Sequence, residues 1–200
     1  MSINFKDKLI SLSNQIVNEI PSFEVIHPKE LIPYGLKPHT RSISWLAESV
    51  VCQNIKKNKK KYSLSLFEEP QTDIGVWDFK LKFKDFNDLI YVNFKVTNVE
   101  ANRQHNDMSS IKKLVNFFQD NKKKNLFYLI FPIEFDNNKI KFVKNFKCGE
   151  YIKMKDFYLN PRNEHIQAYY DVASVERTYE DFFKILMEKQ GKGKKIFIKE

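Results

Sequence analysis

The order of periodicities along the chain predicts a mixed α/β fold, a central sheet with helices packed on its faces. Three observations carry this. Apolar residues recur with a helical period near the N-terminus and again at residues 43–55. The period then changes to two between residues 62 and 97. After a further helical stretch comes a continuous apolar run, residues 126–133, of the kind found in a strand covered on both faces.

Residues 5–20 place apolar side chains at 5, 9, 10, 12, 16, 17 and 20, and Pro21 ends that helix. Residues 21–39 hold four prolines and read as an irregular connection. Thr40 or Ser42 caps the next helix, whose stripe runs through 43, 46, 47, 50, 51 and 55 and ends in the lysines of 56–61. "YSLSLFEE" alternates Tyr62, Leu64 and Leu66 against Ser63 and Ser65, a first strand. Residues 73–83 form a second, "KDFND" supplies a turn, and 89–97 form a third. A polar stretch leads into a helix at 109–120. "NLFYLIFPIEF" is a buried strand that makes a hairpin with "NNKIKFVKNF", turning at 136–138. "YLNPRNEHIQAYYD" reads as mostly irregular, 176–189 as a closing amphipathic helix, and "GKGKKIFIKE" as an added edge strand. The whole is a helix–strand–strand–strand–helix–strand core in a single domain, 1–200. An N-terminal helical segment, 1–38, precedes the core, and a hairpin-and-helix elaboration, 135–200, follows it.

Bulk properties narrow the class. A chain of 200 residues with 18 Phe and 9 Tyr can bury a substantial core. A formal charge of +9 favours polyanionic partners, whether DNA, RNA or an anionic membrane surface, although an AT-rich coding sequence also produces this excess of Lys, Asn, Ile and Phe. Cys52 and Cys148 stand alone and are expected to be free thiols in a reducing compartment. The N-terminus has no signal-peptide pattern, and the longest apolar run is too short to span a bilayer, so a soluble cytoplasmic protein without a membrane partner is expected. Five glycines leave no phosphate-binding loop, and His27, His39, His105 and His165 lack zinc-ligand spacing.

The stretch "QTDIGVWDFKLKFKDFNDLIYVNFKVTN" holds the chemistry. Asn93 and Lys95 share one face of the third strand, while Val92, Phe94 and Val96 share the other. Asp73 opens the second strand, and twist or a bulge brings it toward 93–95. Glu48 lies on the preceding helix. The competing readings are a turn role for Asp73, a solvated Lys95 and an exposed Glu48. Asp78 and Lys80 also spell an acid-x-lysine pattern, but they lie so close to Asp73 that they read as solvent-facing.

"TD" at a strand start, a hairpin, "VNFK" in the next strand and an upstream helix bearing a glutamate resemble the PD-(D/E)XK nuclease superfamily. The resemblance extends over residues 40–134, and its small single-domain branch is the type II restriction endonucleases. It implies a restriction-endonuclease-like αβββαβ core and magnesium-dependent hydrolysis of DNA phosphodiesters. By position Asp73 is the motif aspartate, Lys95 the motif lysine and Glu48 the auxiliary glutamate. Asn93 departs from the usual Asp or Glu.

The chemistry fits those residue types. Magnesium takes an octahedral oxygen shell. Asp73 offers a carboxylate, Asn93 an amide oxygen and Phe94 a carbonyl, while Lys95 orients a water or stabilises charge at phosphorus. Loops flanking the site supply candidate DNA contacts: His39 and Arg41, then Asn102, Arg103, Gln104, His105 and Asn106, then Arg162, Asn163 and Gln167. Arg, Asn and Gln are suited to base edges. The expectation is a site-specific, magnesium-dependent endonuclease of a restriction–modification system, acting on double-stranded DNA as a homodimer. The alternatives are an inactive or weak DNA-binding protein of the same fold, a structure-specific repair or resolvase nuclease, and a basic protein-interaction domain.

Overall fold

The computed structural model describes all residues except 1–3, 26–39, 72–74, 102–104, 121–124, 137–138, 156, 161–163, 170–173 and 197–200, with backbone alone at 40–42, 101, 105–106, 120, 157–159, 168–169 and 191–196. α1 (Phe5–Glu19) starts at Asn4, whose side chain accepts a hydrogen bond from the Lys6 N–H at 3.1 Å. It buries Leu9, Leu12, Ile16 and Val17 on one stripe. After β1 (Ser22–Glu24), α2 (Thr40–Lys57) buries Ile43, Ala47, Val51 and Ile55, four residues spaced by one turn each. Its last turn carries Lys56 and Lys57, where the helix dipole favours cations.

β2 (Leu64–Glu68), β3 (Phe79–Phe83) and β4 (Ile90–Asn98) form an antiparallel meander. β5 (His105–Ser110) and α3 (Ile111–Asp120) then cross to β6 (Asn125–Asp136), which lies parallel to β4. β7 (Lys139–Phe142) and β8 (Lys147–Glu150) pair with different stretches of β6. The central sheet has the order β1-β7-β6-β4-β3-β2, with β8 off this path. β9 (Phe157–Leu159) and β10 (His165–Tyr169) join β5 in a second, three-stranded sheet of order β5-β10-β9, and α4 (Tyr179–Ile196) lies against α3.

The central sheet separates two cores. Ile90, Val92, Phe94 and Val96 of β4 face α1 and α2, together with Phe127, Leu129, Phe131 and Ile133 of β6. Tyr91 and Leu126 face the other way, toward Ile111, Leu114 and Phe118 of α3 and Phe182 and Leu186 of α4. Alternation along two parallel, doubly covered strands thus builds both cores at once. β8 fits against β6 because Gly149 has no side chain. A Cβ there would overlap the phenol of Tyr128, its partner in the ladder.

The expected αβββαβ order is present, and this is a mixed α/β fold with four helices among the described residues. Five details differ. Residues 22–24, expected to belong to an irregular connection, form β1 because they pair with β7. The second strand begins at Phe79 rather than 73. Residues 105–110 are a strand, and so are 157–159 and 165–169, because they pair with one another across a long sequence gap. Residues 147–150 form β8. Residues 191–196 continue α4 rather than forming an edge strand.

Phe131 is fully buried and its ring lies 5.1 Å from Phe94, 5.5 Å from Phe142 and 4.6 Å from Phe146. Phe131→Ala is expected to remove about 3–5 kcal/mol of stability. Urea denaturation measures this, and a loss under about 1 kcal/mol would mean that the site collapses around the deletion.

Candidate active site

The β3–β4 ladder pairs Phe79 with Val92, Lys80 with Tyr91 and Leu81 with Ile90, so residue 78 stands opposite residue 93. The Asp78 N–H donates to the Val92 carbonyl at 2.8 Å, extending the pairing one step beyond the strand. The Asp78 carboxylate folds over β4, where its Oδ2 accepts from the Phe94 N–H at 2.6 Å and lies 3.5 Å from Lys95 Nζ. Lys95 Nζ also donates to the Phe94 carbonyl at 2.8 Å. Both side chains are partly covered, Asp78 at 23 % exposure and Lys95 at 28 %. Burial pushes the Asp78 carboxyl above the usual range. Lys95, the Phe94 N–H and the charge of Lys113 pull it back only in part.

Asn93 is 4 % exposed. Its Nδ2 donates to the Val76 carbonyl at 2.5 Å and lies 3.3 Å from Ser109 Oγ. The Val76 carbonyl can only accept and so demands the amide nitrogen, which sets the orientation of the group. Oδ1 is left buried and without a hydrogen-bond partner among the described residues. An orphaned oxygen of this kind beside a carboxylate is a ready ligand for a hard cation.

Glu48 of α2 is half-buried. Burial pushes the Cys52 thiol far up, and the charges of Glu69, Glu48 and Asp78 add to this in that order. Cys52 and Cys148 are free and buried, and burial pushes Cys148 up to about 12, so neither is a nucleophile. Among the described residues no three His, Cys, Asp or Glu side chains gather at one metal position.

The sequence-derived site is partly assembled. Asn93 and Lys95 share a face of β4 beside an acid, but that acid is Asp78. Asp73 lies outside the described residues, as do His39, Asn102, Arg103, Gln104, Arg162 and Asn163. The solvent-facing reading of Asp78 and Lys80 does not hold. Asp78 is paired with Lys95, and Lys80 is partly covered, 2.6 Å from Glu68 and 5.7 Å over the Trp77 ring. The Phe94 carbonyl is engaged by the Lys95 ammonium. Arg41 lies in the first turn of α2, and His105 and Asn106 stand on β5 opposite Tyr169 and Ala168. Gln167 donates to Asp107 Oδ1 at 2.7 Å. Sequence reasoning missed Asp78 and Ser109.

No protein-family model matches this chain, and no curated protein does. Among solved structures it is similar to NlaIV restriction endonuclease, with a TM-score of 0.53 and 15 % identity, over 92 % of this chain and 77 % of that one. At that identity the likeness concerns the fold, and it agrees with the mixed central sheet and its flanking helices in a restriction-endonuclease-like arrangement. No helix among the described residues is long and apolar enough to cross a membrane.

The raised pKa of Asp78 has a consequence for stability. A carboxyl whose folded value lies above its unfolded value contributes fully below the unfolded range, and the contribution is lost as the pH rises through the folded value. Ionised Asp78 therefore weighs against the fold at neutral pH. Asp78→Asn keeps an acceptor for the Phe94 N–H and is expected to melt above wild type at pH 7. The gap should close as the pH falls below the ordinary carboxylate range of about 4. Thermal melts at the two pH values check this, and a variant that melts lower at pH 7 contradicts it.

Proposed function

We propose that this protein is a magnesium-dependent endonuclease of the PD-(D/E)XK type that cuts double-stranded DNA, most specifically a type II restriction enzyme acting at a short site. The observation that carries the reading is Asp78 standing opposite Asn93, with Lys95 two residues on, at the partly open end of β4. The likeness in fold to NlaIV restriction endonuclease supports it, as does a formal charge of +9. A homodimer belongs to the same proposal, because one such site cuts one strand and a two-fold dimer matches a palindrome.

The donor set fits a hard divalent ion. Asp78 and the Asn93 amide oxygen would hold it, with Glu48 as a further carboxylate, and the ion would supply Lewis-acid polarisation of the phosphate and its water. The residues of the chain do the rest. Burial leaves the Asp78 carboxylate poorly solvated, so it gains more from a neighbouring cation than an exposed carboxylate does. Lys95, held by the Phe94 carbonyl and Asp78, presents an ammonium where negative charge develops as a water oxygen bonds to phosphorus and a P–O ester bond breaks. The departing oxygen takes a proton from water. The second reading, a DNA-binding protein of this fold without cleavage, draws on the lack of a third acidic group at the site among the described residues.

Asp78→Asn and Lys95→Ala are each expected to stay folded by circular dichroism and to bind a DNA duplex, while magnesium-dependent nicking falls by about 10²-fold or more. Wild-type nicking in either variant overturns the assignment, and absence of nicking in the wild type with binding intact favours the second reading. Asn93→Asp is expected to bind magnesium or calcium several-fold more tightly in DNA-free protein, because it adds ligand charge. It should melt at a lower temperature, because the Val76 carbonyl loses its donor. Calorimetric titration reads the first effect and thermal melting the second.

A further inference from the structure

α4 carries more apolar surface than its core contact uses. Phe182 and Leu186 are fully buried in the second core, against α3. A second row, Tyr179, Phe183 and Met187, runs along the same helix with its members one turn apart. Tyr179 and Phe183 are half-buried, and their rings stack at 5.8 Å with 16° between the planes. The Tyr179 hydroxyl donates to the Phe118 carbonyl, which pins the row to α3. Met187 is 46 % exposed. Together with Gln119 of α3, Glu180 and Lys184, the row lines a groove of about 500 Å³.

A helix on the surface of a domain needs one apolar stripe, and its other faces are ordinarily polar. Aromatic and Met side chains are what the cores of protein interfaces are enriched in. The charges beside the row discriminate among partners. Glu180 and Lys184 are exposed and one turn apart on one flank, and neither forms an ion pair among the described residues. The patch thus carries one charge of each sign, on a chain whose formal charge is +9. A polyanion is repelled by Glu180, and a partner of either single sign meets one like charge. A second copy of the patch meets neither difficulty. A two-fold axis crossing the row near Phe183 sets the two copies of α4 antiparallel, with their charged flanks side by side. Glu180 of each copy then lies across from Lys184 of the other, and Tyr179 across from Met187, a favourable aromatic–sulfur contact.

We propose that the Tyr179–Phe183–Met187 row of α4 is the surface through which two copies of this chain associate, as an antiparallel helix pair with reciprocal Glu180–Lys184 contacts. The inference extends the homodimer of the function proposed above and is independent of the nuclease chemistry. Stable interfaces cover roughly 800 Å² on each partner, more than one row of a helix offers, so dissociation is expected in the micromolar range.

Sedimentation velocity of the full chain, without DNA or metal and across the micromolar range, tests this. The wild type is expected to pass from monomer to dimer mass as its concentration rises. Met187→Glu is expected to weaken association by about tenfold or more, since the symmetry places the new charge in the interface twice. Glu180→Lys and Lys184→Glu are each expected to weaken it several-fold. The double exchange Glu180→Lys/Lys184→Glu should restore it, and mixing the two single variants should give dimers. All three positions are exposed, so the variants should melt close to wild type. A wild type that stays monomeric overturns the proposal and leaves the row to a different partner. Dimers that none of these changes weakens, or a double exchange that fails to restore them, overturn it as well. So does a Glu180→Lys variant that melts lower with its mass unchanged, because Glu180 would then serve only the positive end of its own helix. Each of these outcomes leaves the nuclease reading standing, since nicking is measured separately.

Discussion

β4 is bonded along both edges and covered over most of both faces. It pairs antiparallel with β3 and parallel with β6, and every residue from Ile90 to Phe94 is buried. A polar side chain on such a strand has no water to turn to and must find a partner within the protein or on a ligand. The contacts of the site follow from that constraint. Asn93 donates to Val76, Lys95 donates to Phe94 and approaches Asp78, and Asp78 accepts from Phe94. Two buried side-chain atoms among the described residues stay without a hydrogen-bond partner, Asn93 Oδ1 and the Tyr151 hydroxyl, and both belong to the side of the sheet that carries the site.

The two faces of the sheet are built differently because they do different things. The face under α1 and α2 is filled with Phe, Leu, Ile and Val, including the Phe131 cluster, and it supplies apolar burial with few polar atoms to satisfy. On the other face burial changes along β4. Tyr91 and Asn93 are buried, whereas Lys95 and Thr97 are half-exposed. α3, α4 and the small sheet close the first half of that face and leave the second half open. The transition falls at the Asp78–Lys95 pair. Charges are kept there because water still reaches part of them, while burial is sufficient to shift the carboxyl.

The framework was legible in the sequence because it is written in periodicity. Helical spacing at Leu9–Ile16 and Ile43–Ile55, alternation around residue 90 and the apolar run of β6 each report a local pattern that the tertiary structure keeps. Asp78 was not legible, for a long-range reason. Phe79, Leu81 and Phe83 alternate with Lys80 and Lys82, so β3 reads as a strand with one wet face. Asp78 shares that face and inherits the reading, but the loop carrying Val76 and Trp77 folds back beside β4, with Trp77 against Tyr91 at 5.5 Å. β5, β9 and β10 were also invisible. They are short and carry no clean alternation. Their pairing is reinforced by Asp107, which accepts from Gln167 and from Asn160 some fifty residues away along the chain. No single window of sequence contains both halves of that interaction.

The asparagine at position 93 follows from the same geometry. Asp78 and Asn93 are opposed across the ladder, where a second carboxylate would set like charges side by side in a poorly solvated place. Position 93 also faces the Val76 carbonyl, which requires a donor, and a carboxylate would turn one of its oxygens against another oxygen. An amide meets both demands. It gives two hydrogens to Val76 and Ser109 and leaves one uncharged acceptor toward the interior. Under the proposed function the consequence is a site with less negative charge of its own than an acid pair would bring. The balance would come from Glu48 across the first core and from the phosphate of the DNA itself. Such a site would be completed by its substrate, and a cation such as Lys95 would then matter more than it would beside two carboxylates.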